Sequence, residues 1–256
     1  MYKSLSASLT ILMLISACGG GGGNASGSSS AGPVVVTPPS LDLKTAWATY
    51  LKQSSSKNFS ISGSLNGSGI SGNGTYITSY TSPVVVQAFN LSNSYGVKQT
   101  LDNVSKTVTV FNANVFVNGS SSLSTTTTEY YTDANGAIKV INDVNSNEQT
   151  VVTSFSSFPT LITVGAGGTL YAGNVYSNLG YPCGTESASY AASADTVSTL
   201  LVTLTVSQNT TRQALNQCTT RSSVTQYVYR LGFNTLSLLN VSGSGSVAAG
   251  TVTYTF

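Results

Sequence analysis

Histidine is entirely absent from the 256 residues of this chain. Without an imidazole, neither Ser-His-Asp nor Cys-His catalysis can be assembled, and zinc sites built on histidine are excluded. Only eight Asp and Glu residues occur, which leaves few pairs of carboxylates for acid–base chemistry. We therefore predict that the protein is not an enzyme and that it uses neither a metal nor a cofactor.

Charge of either sign is also scarce. Charged residues make up 7% of the chain, against about 25% in ordinary globular proteins. The formal net charge is +2 and no basic cluster occurs, which argues against nucleic acid as a partner. Arg212, Arg221 and Arg230 are spread along the chain, and we interpret them as solvated tips of loops.

The first 17 residues have the organisation of an export signal. Lys3 supplies a basic start, an apolar stretch follows to Ile15, and the small residues Ser16 and Ala17 precede Cys18. This arrangement is typical of a secretory signal with a small-residue cleavage site, and it is too short for a membrane span. Residues 1–17 are therefore predicted to be a signal peptide.

The run Ile15-Ser16-Ala17-Cys18 resembles the lipobox of bacterial lipoproteins. The resemblance implies that diacylglycerol is joined to the Cys18 sulfur, that cleavage occurs just before Cys18, and that the new amino terminus is acylated. In that family an Asp after the cysteine favours the inner membrane, so Gly19 implies the outer membrane. The membrane is then a partner through the lipid anchor, and the face of the outer membrane is left open.

A spacer separates this cysteine from the rest of the chain. Residues 18–40 are rich in Gly and Ser and end in a Pro-containing stretch. Such a composition cannot offset the entropy of ordering, so a flexible linker is predicted. About 22 residues of this kind span roughly 25 Å. The remaining residues, 41–256, suit a single β-rich domain.

One short helix is predicted near the start of that domain. Ser40 is a candidate N-cap, and apolar residues recur with helical spacing over one stripe. The stripe consists of Leu43, Ala46, Trp47, Tyr50 and Leu51. Trp47, Tyr50 and Leu51 could form either core contacts or contacts to an apolar ligand.

Everything after the helix reads as strands. Segments such as 59–65, 75–80 and 247–256 alternate apolar with polar residues, and Val, Thr and Tyr are abundant. The turn Asp133-Ala134-Asn135-Gly136 predicts a hairpin between its flanking strands. The fold class is therefore all-β, mainly an antiparallel meander, either a plain sheet or a curved half-barrel. The order of elements is similar to that of half-barrel envelope lipoprotein carriers, which hold acyl chains in their concavity.

Two cysteines remain after Cys18 is assigned to lipid. Cys183 and Cys218 form an even pair in a chain predicted to be exported, where a disulfide is the default. In a simple meander their strand ends lie about 9 to 10 Å apart, beyond the roughly 7 Å limit for Cα atoms of a bridge. The connection Ser207–Gln217 should therefore fold back, and the bridge should pin it.

Three functions stay open at this point. The first is a lipid-anchored envelope protein that acts as a non-enzymatic structural or interaction module. The second is a carrier of lipid or another apolar ligand, which needs a cavity of several hundred Å³ between helix and sheet. The third is a membrane-embedded β-barrel, suggested by the alternating C-terminal strand that ends on Phe256. The ligand, the partner and the oligomeric state are not determined by the sequence.

Overall fold

The computed structural model describes residues 40–89, 97–117, 120–211, 218, 220–247 and 250–256. The predicted signal peptide, the lipidation site Cys18 and the linker up to residue 39 lie outside these ranges. The described part is a closed barrel of twelve antiparallel strands with one short helix. The predicted all-β class and the single N-terminal helix are confirmed.

Helix α1 covers Leu43–Leu51. Its N-cap is Asp42 rather than the expected Ser40, because the Asp42 carboxylate accepts hydrogen bonds from the Thr45 backbone N (2.9 Å) and from Thr45 Oγ1 (2.7 Å). These bonds satisfy a donor that the first turn would otherwise leave unpaired. The buried stripe is the one predicted from the periodicity: Leu43, Ala46, Trp47 and Leu51.

The twelve strands follow one another around the barrel in chain order. They are β1 (Ser55–Leu65), β2 (Ser68–Phe89), β3 (Lys98–Val117), β4 (Ser120–Thr132), β5 (Ile138–Asp143), β6 (Glu148–Phe155), β7 (Gly167–Ser177), β8 (Pro182–Ala194), β9 (Leu200–Thr210), β10 (Arg221–Gly232), β11 (Thr235–Val247) and β12 (Gly250–Thr255). Strand β1 pairs with β12 over Ser62↔Thr255 to Leu65↔Val252, and this pairing closes the sheet. The curved meander is therefore a full barrel rather than a half-barrel.

Alternation along each strand separates an inner from an outer face. Along β10 the inward positions are Arg221, Ser223, Thr225, Tyr227, Tyr229 and Leu231. Their side chains change from polar to apolar along the strand, so the interior has a polar end and an apolar end.

The two ends of the barrel differ in what covers them. At one end, here called the helix end, α1 packs beside the β6–β7 connection, where the Lys44 backbone N donates to the Pro159 carbonyl at 3.2 Å. The β4–β5, β8–β9 and β10–β11 connections lie at the same end. The chain enters there, since Leu41 pairs with Ile162 of the β6–β7 connection. The opposite end, here called the mouth, carries the β1–β2, β5–β6 and β7–β8 turns. The predicted hairpin around Asp133–Gly136 is confirmed, and it lies at the helix end.

The predicted disulfide joins Cys183 to Cys218, with their Cα atoms 5.6 Å apart. Cys183 lies at the start of β8, and Cys218 lies just before β10, two strands away. Next to the bridge, the Thr211 backbone N donates to the Cys183 carbonyl at 2.9 Å, which holds the end of β9 beside the start of β8. The predicted connection Ser207–Gln217 is described only in part: its residues up to Thr210 belong to β9, and residues 212–217 lie outside the described ranges.

Strands β2 and β3 continue beyond the barrel wall and fold over its outer surface. Their extension packs on β4, β5 and β6 through a second apolar cluster. Gln149 fixes its edge, because the side-chain oxygen accepts from the Phe89 backbone N (2.9 Å) and the amide nitrogen donates to the Gln87 carbonyl (3.0 Å). The extension therefore covers the outside of the strands that carry the charged rim described below.

Candidate functional site in the barrel interior

The helix end of the interior is filled by aromatic side chains. The Trp47 ring lies 5.1 Å from the Phe158 ring and 6.0 Å from the Tyr229 ring, and Tyr50 lies 5.3 Å from Tyr229 in an edge-on arrangement. A cavity of only about 50 Å³ remains beside Trp47, Tyr50 and Leu51. These three residues, which the sequence left as core or apolar-ligand contacts, therefore lie in a packed core.

A second cavity of about 140 Å³ lies towards the mouth. We call it the polar chamber, because its wall carries charged groups as well as hydroxyls, whereas no described residue around the cavity beside α1 is charged. Its polar lining includes Asp143, Glu148, Thr150, Glu186, Gln208, Arg221, Ser223 and Thr225, while Phe111, Tyr254 and Phe256 supply ring faces. The Phe111 and Phe256 rings are stacked at 4.1 Å, so one side of the chamber is a flat aromatic wall.

A layer of side chains separates the polar chamber from the apolar helix end. Five residues border both cavities: Tyr76, Thr109, Tyr130, Val206 and Tyr227. Burial raises the pKa of Tyr76 and Tyr130 well above the usual range and raises the pKa of Tyr227 to about 12. These hydroxyls therefore stay protonated at physiological pH and can both donate and accept hydrogen bonds.

An ion-pair group lies at the rim of the chamber. Arg221, the first residue of β10, reaches across the lumen to Glu148 at the start of β6 and to Asp143 at the end of β5. The Arg221 and Glu148 side chains are only 6% and 1% exposed. Asp143 and Glu148 are cross-strand partners, so one guanidinium contacts two neighbouring carboxylates. The Arg221 Nε has no hydrogen-bond partner among the described residues.

A second buried carboxyl, Glu186, is held by hydroxyl groups. Tyr171 donates to its Oε1 at 2.7 Å and Thr150 donates to its Oε2 at 3.1 Å. Thr150 and Glu186 sit on β6 and β8, and Gly173 of β7 lies between them. A Cβ at Gly173 would lie 2.9 Å from Thr150 Cγ2 and 2.8 Å from the Val151 carbonyl oxygen, so only glycine leaves room for this contact.

Burial is the main influence on Glu186 and raises the pKa of its carboxyl. The hydrogen bonds from Tyr171 and Thr150 and the charge of Arg221 oppose that rise. The chamber thus holds one carboxyl whose ionisation is made less favourable by burial, beside an ion-pair group with one positive and two negative charges.

The arrangement is suited to binding a small polar molecule. The described residues contain no cluster of three or more His, Cys, Asp or Glu that could hold a metal ion. The hydroxyls, the guanidinium and the carboxyls around the chamber can hydrogen-bond a small polar molecule, and the Phe111–Phe256 wall can stack on one.

Sequence reasoning missed most of this site. Arg221 was expected at a solvated tip, and that interpretation is wrong: it is buried because its strand begins at the rim with the side chain turned inward. Arg230, by contrast, is exposed and pairs with Asp195 at 2.6 Å. The period-two pattern from Arg221 to Leu231 was a usable signal, because it puts the arginine on the face that carries Tyr229.

Comparison with known proteins adds no relative: no family model, no curated protein and no solved structure matches this chain. Helices that could cross a membrane were also sought, and none occurs in the described ranges.

Proposed function

We propose that this protein is a lipid-anchored cell-envelope protein whose barrel is a non-enzymatic interaction module. The anchor is supported by Ile15-Ser16-Ala17-Cys18 after an apolar signal, and by the Gly/Ser spacer that follows. Several acyl chains on one cysteine attach a protein stably to a membrane, whereas a single acyl chain gives only marginal attachment. The outer membrane is the proposed location, on the strength of Gly19.

One observation supports the non-enzymatic part of the proposal: the charged side chains of the interior are bound to other side chains of the barrel. Arg221 is paired with Glu148 and Asp143, and Glu186 is held by Tyr171 and Thr150. Groups tied in this way order the barrel wall and present a fixed scaffold. A partner would then be recognised by the rims and the outer face of the barrel.

A carrier of long apolar ligands receives less support. Such a carrier needs several hundred Å³ of apolar space, whereas the apolar cavity beside α1 holds about 50 Å³. The order of elements resembles that of the half-barrel carriers, but here the sheet closes and Trp47 occupies the space that an acyl chain would need.

A membrane-embedded barrel is also less well supported. A lipid-facing wall requires an apolar band about 25 Å tall. The outward positions of three strands instead carry short polar side chains: Asn58, Ser60, Ser62, Ser64, Thr185, Ser187, Ser189, Thr251 and Thr253. These side chains favour water outside the barrel.

The lipid anchor is tested by intact mass spectrometry of the protein purified from membranes, beside a Cys18→Ser variant. The expected parent mass lacks residues 1–17 and carries a diacylglyceryl and an amide-linked acyl group. The variant should lose the acyl mass and leave the membrane fraction. A parent chain without acyl mass, or one that remains soluble after the membranes are removed, would refute the proposal.

The polar chamber favours a second candidate function, which is the binding of a small polyhydroxylated molecule. Its volume suits a ligand of about monosaccharide size, and it combines aromatic faces with hydroxyls and a guanidinium. Isothermal titration with a panel of monosaccharides tests the idea. Ser223→Leu places an apolar group in the chamber wall and should abolish binding, whereas the neighbouring Ser222→Leu faces outward and should not. Absence of heat with the whole panel would remove this candidate.

A further inference from the structure

The helix end of the barrel exposes apolar side chains at the tips of three successive connections. Leu161 in the β6–β7 connection is 69% exposed, Val197 in the β8–β9 turn is 73% exposed, and Phe233 in the β10–β11 turn is 83% exposed. Val164 adds a fourth exposed apolar residue in the first connection. Transfer of large apolar side chains from water into an apolar phase lowers the free energy.

The three connections are held beside one another by the fold. The Ala192 backbone N donates to the Ala166 carbonyl at 2.8 Å, which ties the β6–β7 connection to β8. Arg230 pairs with Asp195 at 2.6 Å, which ties the β8–β9 turn to β10 just before Phe233. The apolar tips therefore form one row along the rim, which we call the apolar rim: Leu161, Val164, Val197 and Phe233.

The N-terminal segment joins the barrel at this same rim. Leu41 exchanges backbone hydrogen bonds with Ile162, at 3.0 and 2.8 Å, immediately beside Leu161. The predicted linker of about 22 residues spans roughly 25 Å as a coil. Eleven-residue strands such as β1 span about 36 Å, and a barrel tilt of 35–45° leaves about 28 Å along the axis. A tether of that length holds the helix end close to the bilayer and the mouth farther away.

We propose that the apolar rim inserts into the surface of the lipid bilayer that holds the anchor, so that the barrel stands on its helix end with its mouth directed away. This inference rests on the proposed lipid anchor and adds an orientation to it. The occupant of the rim is the bilayer, because the chain that leads to the acylated cysteine begins at the rim itself. The exposed Lys44 lies beside the same connection and adds a positive charge that anionic headgroups attract.

The test places a reporter at each end of the lipidated protein. Phe233→Trp puts a fluorescent ring on the apolar rim, and Leu179→Trp puts one at a comparably exposed apolar position at the mouth, where Leu179 is 54% exposed. The natural Trp47 is buried and gives the same background in both variants. Each protein is reconstituted into phosphatidylcholine vesicles with and without brominated acyl chains, which quench only rings that reach the acyl region.

The expected result is that brominated lipid removes about half of the added emission of Phe233→Trp and leaves that of Leu179→Trp unchanged, because interfacial side chains enter about 5–10 Å into the headgroup–acyl boundary. Both variants change exposed positions, and near-ultraviolet circular dichroism checks that the barrel is retained. Equal quenching at both ends, or none at Phe233→Trp in vesicle-bound protein, would overturn the orientation and leave the anchor intact. Loss of vesicle association altogether would overturn both.

A second copy of the chain is the competing occupant of the rim. In that case sedimentation of the unlipidated Cys18→Ser chain would show dimers that Phe233→Ser dissociates, and the lipidated Phe233→Trp would escape quenching. That pair of results would refute the insertion of the apolar rim into the bilayer and would leave the lipid anchor intact.

Discussion

Removal of the positive charge of Arg221 from the chamber rim should lower the free energy of unfolding of the barrel by more than a typical single substitution does. Arg221→Met keeps the length and apolar volume of the side chain but leaves Glu148 buried without its partner. Breaking one side of a buried ion pair typically costs about 3–5 kcal/mol, most of it from the uncompensated charge. Since single domains are stable by only about 5–15 kcal/mol, such a loss is easily measured.

The magnitude follows from the burial of the two groups. The Glu148 side chain is 1% exposed, so water cannot replace the guanidinium. The Asp143 side chain is 24% exposed, and its Oδ2 lies 3.5 Å from Arg221. Asp143 can therefore rehydrate and should contribute much less to the loss of stability. We therefore expect Glu148→Gln in the Arg221→Met background to recover most of the lost stability, and Asp143→Asn to recover little.

The assay is urea unfolding of the unlipidated Cys18→Ser chain, followed by the fluorescence of the single tryptophan and by circular dichroism. A double-mutant cycle between Arg221 and Glu148 should give a coupling of at least about 2 kcal/mol. The Arg221→Met defect should also shrink at acid pH. Loss of a neighbouring guanidinium raises the folded pKa of a buried carboxyl, so stability is present at low pH and is lost as pH rises through that pKa.

Two results would show that this reasoning is wrong. One is a loss below about 1 kcal/mol for Arg221→Met, which would mean that Glu148 rehydrates freely. The other is a double variant whose loss equals the sum of the single losses, which would mean that the two groups do not act together.

Three further predictions concern the interior and the disulfide. Burial raises the pKa of Glu186, so the stabilising contribution of this carboxyl is full below the ordinary pKa of 4.5 and declines as pH rises through the raised pKa. Glu186→Gln should flatten this pH dependence of the melting temperature, and an unchanged pH profile would contradict the prediction. Gly173→Ala should cost about 1–3 kcal/mol by overpacking, whereas Gly69→Ala, with open space around it, should change the urea midpoint little; equal effects would disprove the close-approach argument. Replacing Cys183 and Cys218 by Ser opens a loop of 35 residues and should lower stability by about 4 kcal/mol in the same urea assay, and an unchanged midpoint would exclude a stabilising role for the bridge.

Short-range patterns were enough to predict the elements of this fold. The apolar stripe of α1, the hairpin at Asp133–Gly136 and the alternating strands depend on neighbours a few residues apart. The structure contains the helix and the hairpin, whereas the segment 247–256, predicted as one strand, spans the end of β11 and β12. The disulfide was also predictable, because two cysteines remained after Cys18 and strand geometry required a returning connection. The N-cap was misplaced by two residues because both Ser40 and Asp42 are good caps, and only the Thr45 contacts decide between them.

The contacts inside the barrel could not be predicted from such short-range patterns. Whether a twelve-strand meander closes depends on Leu65 meeting Val252, a pairing between the two ends of the domain that no local pattern specifies. Closure in turn decides which inward residues face each other across the lumen. Arg221 meets Glu148 over a separation of 73 residues, and Glu186 meets Thr150 over 36.

The sequence alone therefore determined the all-β class and the helix, because both depend on local periodicity, and its short lipobox-like motif predicts a location at a membrane. Tertiary structure alone decided that the sheet is closed, that Trp47 fills its helix end, and that scarce charged residues meet at its mouth. The physical reason is that burial, and with it the energetic weight of every charge, is a property of the closed barrel and not of any single strand.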